Sequence, residues 1–192
     1  MTLTKAALRK VLRAERRRHV AALPDATRAL LFRVPPAPLR ALIPADAVIG
    51  LYRASPNEAP ASSYARHFQE QGHAIALPRF AGREAPMRFA LHTDPFGESD
   101  LEPGPFGLLQ PRADAASAEP DVLIVPLLGF TADGRRLGQG GGHYDRWLSA
   151  HPSAIAIGLA WDVQLLDDLP HEPHDRPLAA VVTPTRIYGP WS

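Results

Sequence analysis

The chain has no cysteine, which excludes disulfides, thiolate catalysis and cysteine-bound zinc. None of its apolar runs reaches the roughly 18 residues that a membrane-spanning helix needs. It carries little net charge: 21 Lys and Arg against 20 Asp and Glu leave +1. Overall charge therefore gives no case for a nucleic-acid-binding protein, and any basic surface is local. No RNP-type aromatic motif speaks for RNA, and no stretch repeats along the chain. Proline is the opposite case. Its 21 residues, against a usual share of about 5%, predict many loops and abrupt element ends. With 192 residues, 45% hydrophobic and 21% charged, a single domain over 1–192 with a full core is expected.

Thr4 can cap a helix running on from Lys5, with Leu8, Val11 and Leu12 on its apolar face. Lys5, Arg9, Arg13 and Arg16 fall along one stripe of that helix, and such a stripe is ordinarily a solvated face. A second helix is expected over Asp25–Val34, stopped by Pro35-Pro36, with a short helical piece reaching Ile43. Ala47–Tyr52 reads as a central parallel strand, followed by the turn-rich loop RASPNEAP. A further helix over Ala61–Gln71, closed by Gly72, precedes a strand over His73–Leu77 that Pro78 should end. Met87–Leu91 reads as a strand, and 92–120 as an irregular excursion. Apolar strands at Val122–Leu128, Ala154–Ala160 and Ala179–Thr183 complete the pattern, with a helix over Tyr144–Ala150 and a short helix or turn over Gln164–Leu169. Short apolar strands alternating with helices predict an α/β fold: a mostly parallel open sheet with helices on its faces.

The stretch that organises the chain is DVLIVPLLGFTADGRRLGQGGGHYDRWL, Asp121 to Leu148. A buried strand leads into an Asp133-Gly134 turn, two arginines (Arg135, Arg136), the glycines 138, 140, 141 and 142, and a helix start. Strand, glycine loop and helix N-terminus together suit phosphate: glycine lets backbone N–H groups approach an anion, and the helix start offers free donors and a favourable dipole. Arg135 and Arg136 can add charged donors, and Asp145 can hold a divalent metal beside the phosphates. Neither common nucleotide fingerprint fits, because no Gly-Lys-Ser/Thr ends the loop and His143 stands where a dinucleotide motif needs its third glycine. A plain surface loop with a solvated arginine pair is the other reading of the glycines alone.

The string GFTADGRRLGQGGGHYDRWL resembles the signature of the 5-formyltetrahydrofolate cyclo-ligases, also called methenyltetrahydrofolate synthetases. The matching positions are Pro126, Gly129, Phe130, Gly134, Arg136, Leu137, Gly138, Gly140, Gly142, Tyr144, Asp145 and Arg146. Lys5, Leu8 and Arg9 match the family's N-terminal Lys-x-x-Leu-Arg, Glu58 matches its glutamate after the first strand, and Met87-x-Phe89, Phe106-Gly107 and Gln110-Pro111 match further pieces. The resemblance implies a Rossmann-like, CoA-transferase-like sheet and ATP-driven cyclisation of 5-formyltetrahydrofolate to 5,10-methenyltetrahydrofolate. It implies ATP contacts from Lys5, Arg9, Arg136, Gly138, Gln139, Gly140, Gly141, Gly142, His143 and Tyr144. Folate contacts would come from Arg53, Glu58, Gln139, His143 and Tyr144, with Asp145 on a magnesium ion. No side chain is assigned as acid or base. A monomeric cytoplasmic enzyme of one-carbon metabolism is the expectation, with neither nucleic acid nor membrane as partner. The arginine-rich start resembles a transit peptide, but Glu15, the lack of serine there and a share in the active site speak against a removable leader.

Three departures stand out. His143 replaces an aromatic, Gln139 stands where some members have arginine, and Ala179 stands where the last strand often carries an acid. Either Asp175 takes that acid's place, or Asp145, water and phosphates hold the metal. His171, His174 and Asp175 on their own are a weak metal pattern. The alternative function is a non-catalytic folate- or nucleotide-binding module of the same fold. The missing acid favours it, while Lys5, Arg9, Glu58, Arg136, Tyr144 and Asp145 oppose it.

Overall fold

Helix α1 (Lys5–Ala22) begins where the Thr4 hydroxyl accepts the Ala7 N–H at 3.3 Å, satisfying a donor the helix leaves unpaired. The computed structural model describes residues 4–170 and 176–191. The inward face of α1 is Leu12, Arg16 and Val20, at i+4 spacing. Val11, expected on that face, is 42% exposed, and the cationic stripe turns toward the protein. Helix α2 (Asp25–Leu30) stops before the expected Val34. Phe32 takes a left-handed φ of 56° and turns its ring into the core, 5.3 Å from Trp161 and 6.4 Å from Tyr64. Helix α3 (Ala37–Arg40) is a single turn behind Pro36.

Next in order come β1 (Ile49–Gly50), α4 (Ser62–Glu70), β2 (Ile75–Arg79), β3 (Arg88–Leu91), β4 (Leu101–Pro103), β5 (Leu109–Pro111), β6 (Ser117–Ala118) and β7 (Val122–Pro126). Then follow β8 (Gly129–Thr131), β9 (Arg136–Leu137), α5 (His143–Ala150), β10 (Ile155–Leu159), a 3-10 turn over Asp162–Gln164, β11 (Leu165–Leu166), β12 (Ala180–Val182) and β13 (Ile187–Tyr188). The main sheet runs β13-β12-β10-β7-β1-β2-β3-β6. Its middle, β12 to β2, is parallel, and the strands beyond it pair antiparallel. Period two along β7 serves both faces. Val122 and Ile124 join α4's Tyr64 and Phe68 in one core, while Leu123 and Val125 join α5's Trp147 and Leu148 in the other.

Pro78 does not end β2. Ala76 accepts Leu51 N–H on the β1 side, and two residues on Pro78 faces the same way, past the β1–β2 pairing, so no ladder bond is lost there. The excursion over 92–120 carries the β4–β5 hairpin and the edge strand β6, elements too short to show alternation. Leu165–Leu166 pairs with β8, and β13 joins β12; neither strand was expected. Among the described residues, no helix is long and apolar enough to cross a membrane.

The connection leaving β1 leads to β2 on one side, and that leaving β7 leads to β10 on the other. The carboxyl ends of β1 and β7 therefore flank a topological switch point, where open α/β sheets place their ligands.

Candidate active site

A cavity of about 820 Å³ opens at that switch point. The β1 end contributes Tyr52, Arg53 and Glu58, the β7 end contributes Pro126 and the glycine loop, and α1 brings Lys5 and Arg9. All the site residues expected from sequence line it: Lys5, Arg9, Arg53, Glu58, Arg136, Gly138, Gln139, Gly140, Gly141, Gly142, His143, Tyr144 and Asp145. The weak metal pattern of His171, His174 and Asp175 lies outside the described residues.

The glycine loop is strapped to α1 rather than left in solvent. Arg9 Nε donates to the Gly138 carbonyl at 3.0 Å, and Arg13 Nη2 donates to the Gln139 carbonyl at 2.6 Å. Gly140 (φ 110°) and Gly142 (φ 64°) hold backbone conformations that other residues rarely take. Gly142 is the N-cap of α5 and makes no side-chain cap, so the first N–H groups of that helix stay available to an anion. Arg136 stands beneath, its side chain only 3% exposed and paired with Asp145. Its Nε is buried without a hydrogen-bond partner, and other parts of the residue line the cavity.

This pairing changes the reading of Asp145, whose Oδ1 already accepts from Arg136. Among the described residues, no three His, Asp or Glu side chains lie close enough to hold a metal by themselves. The donor set fits a magnesium ion that arrives with phosphate oxygens and waters and takes one carboxylate from the protein. Ala179 supplies no second acid.

Glu58 is held from three elements. Its Oε2 accepts Ser55 N–H at 2.7 Å, its Oε1 accepts Gln139 Nε2 at 2.7 Å, and Arg16 Nη1 stands 3.8 Å away. Arg16 also donates to the Leu127 carbonyl at 3.4 Å. Burial lowers the Arg16 pKa, opposed by the Glu58 charge. Burial raises the Tyr52 and Tyr144 phenols well above their ordinary range, and the Glu58 carboxylate adds to it. Both therefore stay protonated donors, Tyr52 to the Ala59 carbonyl. Arg53 reaches the cavity wall but is engaged by both oxygens of Glu98.

Several lining and supporting residues are not assigned to the site from sequence, although Phe106 stands within a matching loop. Phe80 and Phe106 form an aromatic wall with His143, at centroid distances of 4.9 Å between the phenylalanines and 5.0 Å from Phe80 to His143. Burial, then the Arg146 cation, lowers the His143 pKa, so a neutral imidazole completes the wall where the family has an aromatic ring. Arg13 and Arg16 were visible as part of a stripe, but not as residues facing inward. Tyr52 gave no signal beyond its place at a strand end.

A model of the 5-formyltetrahydrofolate cyclo-ligase family matches residues 1–184. The chain belongs to that family. It is 41% identical over 97 residues to the 5-formyltetrahydrofolate cyclo-ligase of Escherichia coli K12, covering 47% of this chain and 53% of that one. To the cyclo-ligase of Mycolicibacterium smegmatis it is 36% identical over 122 residues, covering 61% and 63%. The chain thus spans about half to two thirds of these relatives' length. The NMR structure of 5,10-methenyltetrahydrofolate synthetase from Aquifex aeolicus superposes with a TM-score of 0.76 at 22% identity, over 99% of this chain and 94% of that one. The Mycoplasma pneumoniae synthetase gives 0.67 at 23%, over 93% and 98%. At such identities the likeness establishes the shared α/β fold.

Proposed function

We propose that this chain catalyses the ATP-driven cyclisation of 5-formyltetrahydrofolate to 5,10-methenyltetrahydrofolate, releasing ADP and phosphate. The observation that carries the reading is the convergence of a phosphate-type loop and a carboxylate held in place from three elements on one cavity of about 820 Å³, the chemistry needed for a triphosphate and a pterin together.

The formyl oxygen is a poor leaving group as oxide. The γ-phosphoryl group transfers to it, N10 attacks the activated carbon to close the ring, and the oxygen departs as phosphate. Phosphoryl transfer asks a protein for positioning and charge neutralisation. The loop amides and Arg136 hold the phosphates, and Lys5 and Arg9 approach them from α1. Glu58 accepts hydrogen bonds from pterin N–H and amino groups, since an ionised carboxylate offers about four acceptor sites and keeps some open. Tyr144, kept neutral by burial, donates, and His143 with Phe80 and Phe106 gives the rings an apolar wall. Magnesium, carried on Asp145, would supply neutralisation of the phosphate oxygens.

The test is absorbance at the methenyl product band with 5-formyltetrahydrofolate and magnesium ATP. A rise that requires ATP and falls at least 100-fold in Glu58→Ala and Asp145→Ala, on the order of one lost transition-state contact each, supports the reading. A flat trace from protein that still binds both ligands by thermal shift leaves a binding module instead, the function that the absent acid at Ala179 favours.

A further inference from the structure

Gln139 belongs to the phosphate loop by its backbone and to the folate end by its side chain. The carbonyl is clasped by Arg13 Nη2 at 2.6 Å, and the neighbouring Gly138 carbonyl by Arg9 Nε at 3.0 Å. The side-chain amide meanwhile donates to Glu58 Oε1 at 2.7 Å, across 81 positions of sequence. Glu58 is otherwise anchored by Ser55 N–H on its other oxygen and by Arg16, which is 6% exposed. Ser55 lies in the same loop as Glu58, whereas Gln139 ties this carboxylate to the phosphate loop by a hydrogen bond.

A ligand that orders the loop thereby orders Gln139, and an ordered Gln139 aims Glu58. The reverse holds for a ligand that fixes Glu58. Two ligands acting on opposite ends of one hydrogen bond have a coupling free energy, and that coupling is reciprocal. Resting on the cyclo-ligase reading, we propose that the Gln139–Glu58 hydrogen bond couples the two halves of the site, so that nucleotide and folate each tighten the binding of the other. Gln139 is on this account a positioning residue: it acts on folate through Glu58. The amide suits this role because it is neutral and leaves the Glu58 charge for the substrate, and because its reach matches the gap.

Calorimetry tests this on the full chain, titrating 5-formyltetrahydrofolate with and without saturating magnesium adenylyl-imidodiphosphate, whose bridging nitrogen blocks turnover. In the wild type the folate Kd falls about 5-fold or more on adding the nucleotide, and the nucleotide Kd falls by the same factor on adding folate. Gln139→Met keeps the length and removes the donor. The ratio then drops to within 2-fold of unity, whatever the variant does to each single-ligand Kd. A merely structural role would shift both single-ligand affinities and leave their ratio in place. A wild-type ratio retained in Gln139→Met overturns the proposal, as does a ratio of one in wild type that binds both ligands. Absence of binding heat in wild type at two well-separated temperatures removes the cyclo-ligase reading itself, and the coupling with it.

Discussion

Gly142 holds φ at 64° to cap α5, and a Cβ there would meet only the far end of Arg146, 2.9 Å away. Space is not the obstacle; the backbone conformation is, since an L side chain in the left-handed region costs roughly 1–2 kcal/mol. Gly142→Ala is expected to lower the unfolding free energy by about that amount in urea denaturation. Gly138→Ala, whose nearest neighbour is 3.6 Å away and which has no positive φ, should stay within about 0.5 kcal/mol. Similar losses at both would place the cost in the loop's packing instead. Asp145 shows another residue-scale effect. Removing its side chain also strips the partner of buried Arg136, and an uncompensated buried cation is destabilising. Asp145→Asn keeps an acceptor for Arg136 and removes the charge a magnesium ion needs. It is therefore the cleaner variant: a loss of activity with the melting temperature kept assigns the effect to chemistry.

At the scale of an element, the turn over 94–99 positions a wall of the site. Glu98 sits at a left-handed φ of 58°, donates its N–H to the Asp94 carbonyl at 2.8 Å, and presents its carboxylate to Arg53. The Asp94 side chain holds that turn. The Ser99 hydroxyl foremost, then the Gly97 and Ser99 N–H groups, bring its carboxyl from the ordinary 3.8 down to about 2. A carboxyl depressed in the folded state favours folding above its unfolded value, and that contribution disappears as pH falls through the folded one. The melting temperature of the wild type should therefore fall between pH 4 and pH 2, and less steeply in Asp94→Asn, when followed by circular dichroism. Equal slopes in the two proteins would show that the turn's bonds do not distinguish folded from unfolded chain.

The whole molecule joins two ends of one cavity across α1, the β1 loop and the loop after β9, so ligands bound there cross-link elements far apart in sequence. Anything that binds the folded state alone stabilises it by mass action. A ligand at 100 times its Kd adds about 2.7 kcal/mol, roughly 5–10 °C in melting temperature for a chain of this size. Scanning fluorimetry with magnesium ATP and 5-formyltetrahydrofolate is expected to show such shifts. EDTA should reduce the nucleotide's share without abolishing it, because on the proposed reading the carboxylate of Asp145 meets phosphate through a metal while the loop amides and arginines meet it directly. A nucleotide shift untouched by EDTA would mean that the loop amides and arginines hold ATP without it.

Much of this was legible in the residues. The apolar runs of β7, β10 and β12, the Thr4 cap, Gly72 after α4, and the glycines before α5 are local signals, because period, capping and positive φ depend on a few neighbouring residues. They determined the α/β class, the parallel centre of the sheet and the glycine loop's place in the cavity, while Lys5, Arg9 and Glu58 were assigned to it from the family resemblance. The positions of element ends were less legible. Phe32 leaves its helix for a partner at Trp161, and Pro78 stays in a strand because β1 stops beside it. Nor could spacing show that Arg16 turns inward, that Arg136 already holds Asp145, or that Gln139 meets Glu58. A helical stripe records which residues share a face, whereas the direction of that face depends on what the rest of the chain packs against it. Sequence thus determined the chemistry available to this site. Tertiary structure alone decided which groups are partnered, because hydrogen-bond and ion-pair partners many positions apart are set by the packing of whole elements.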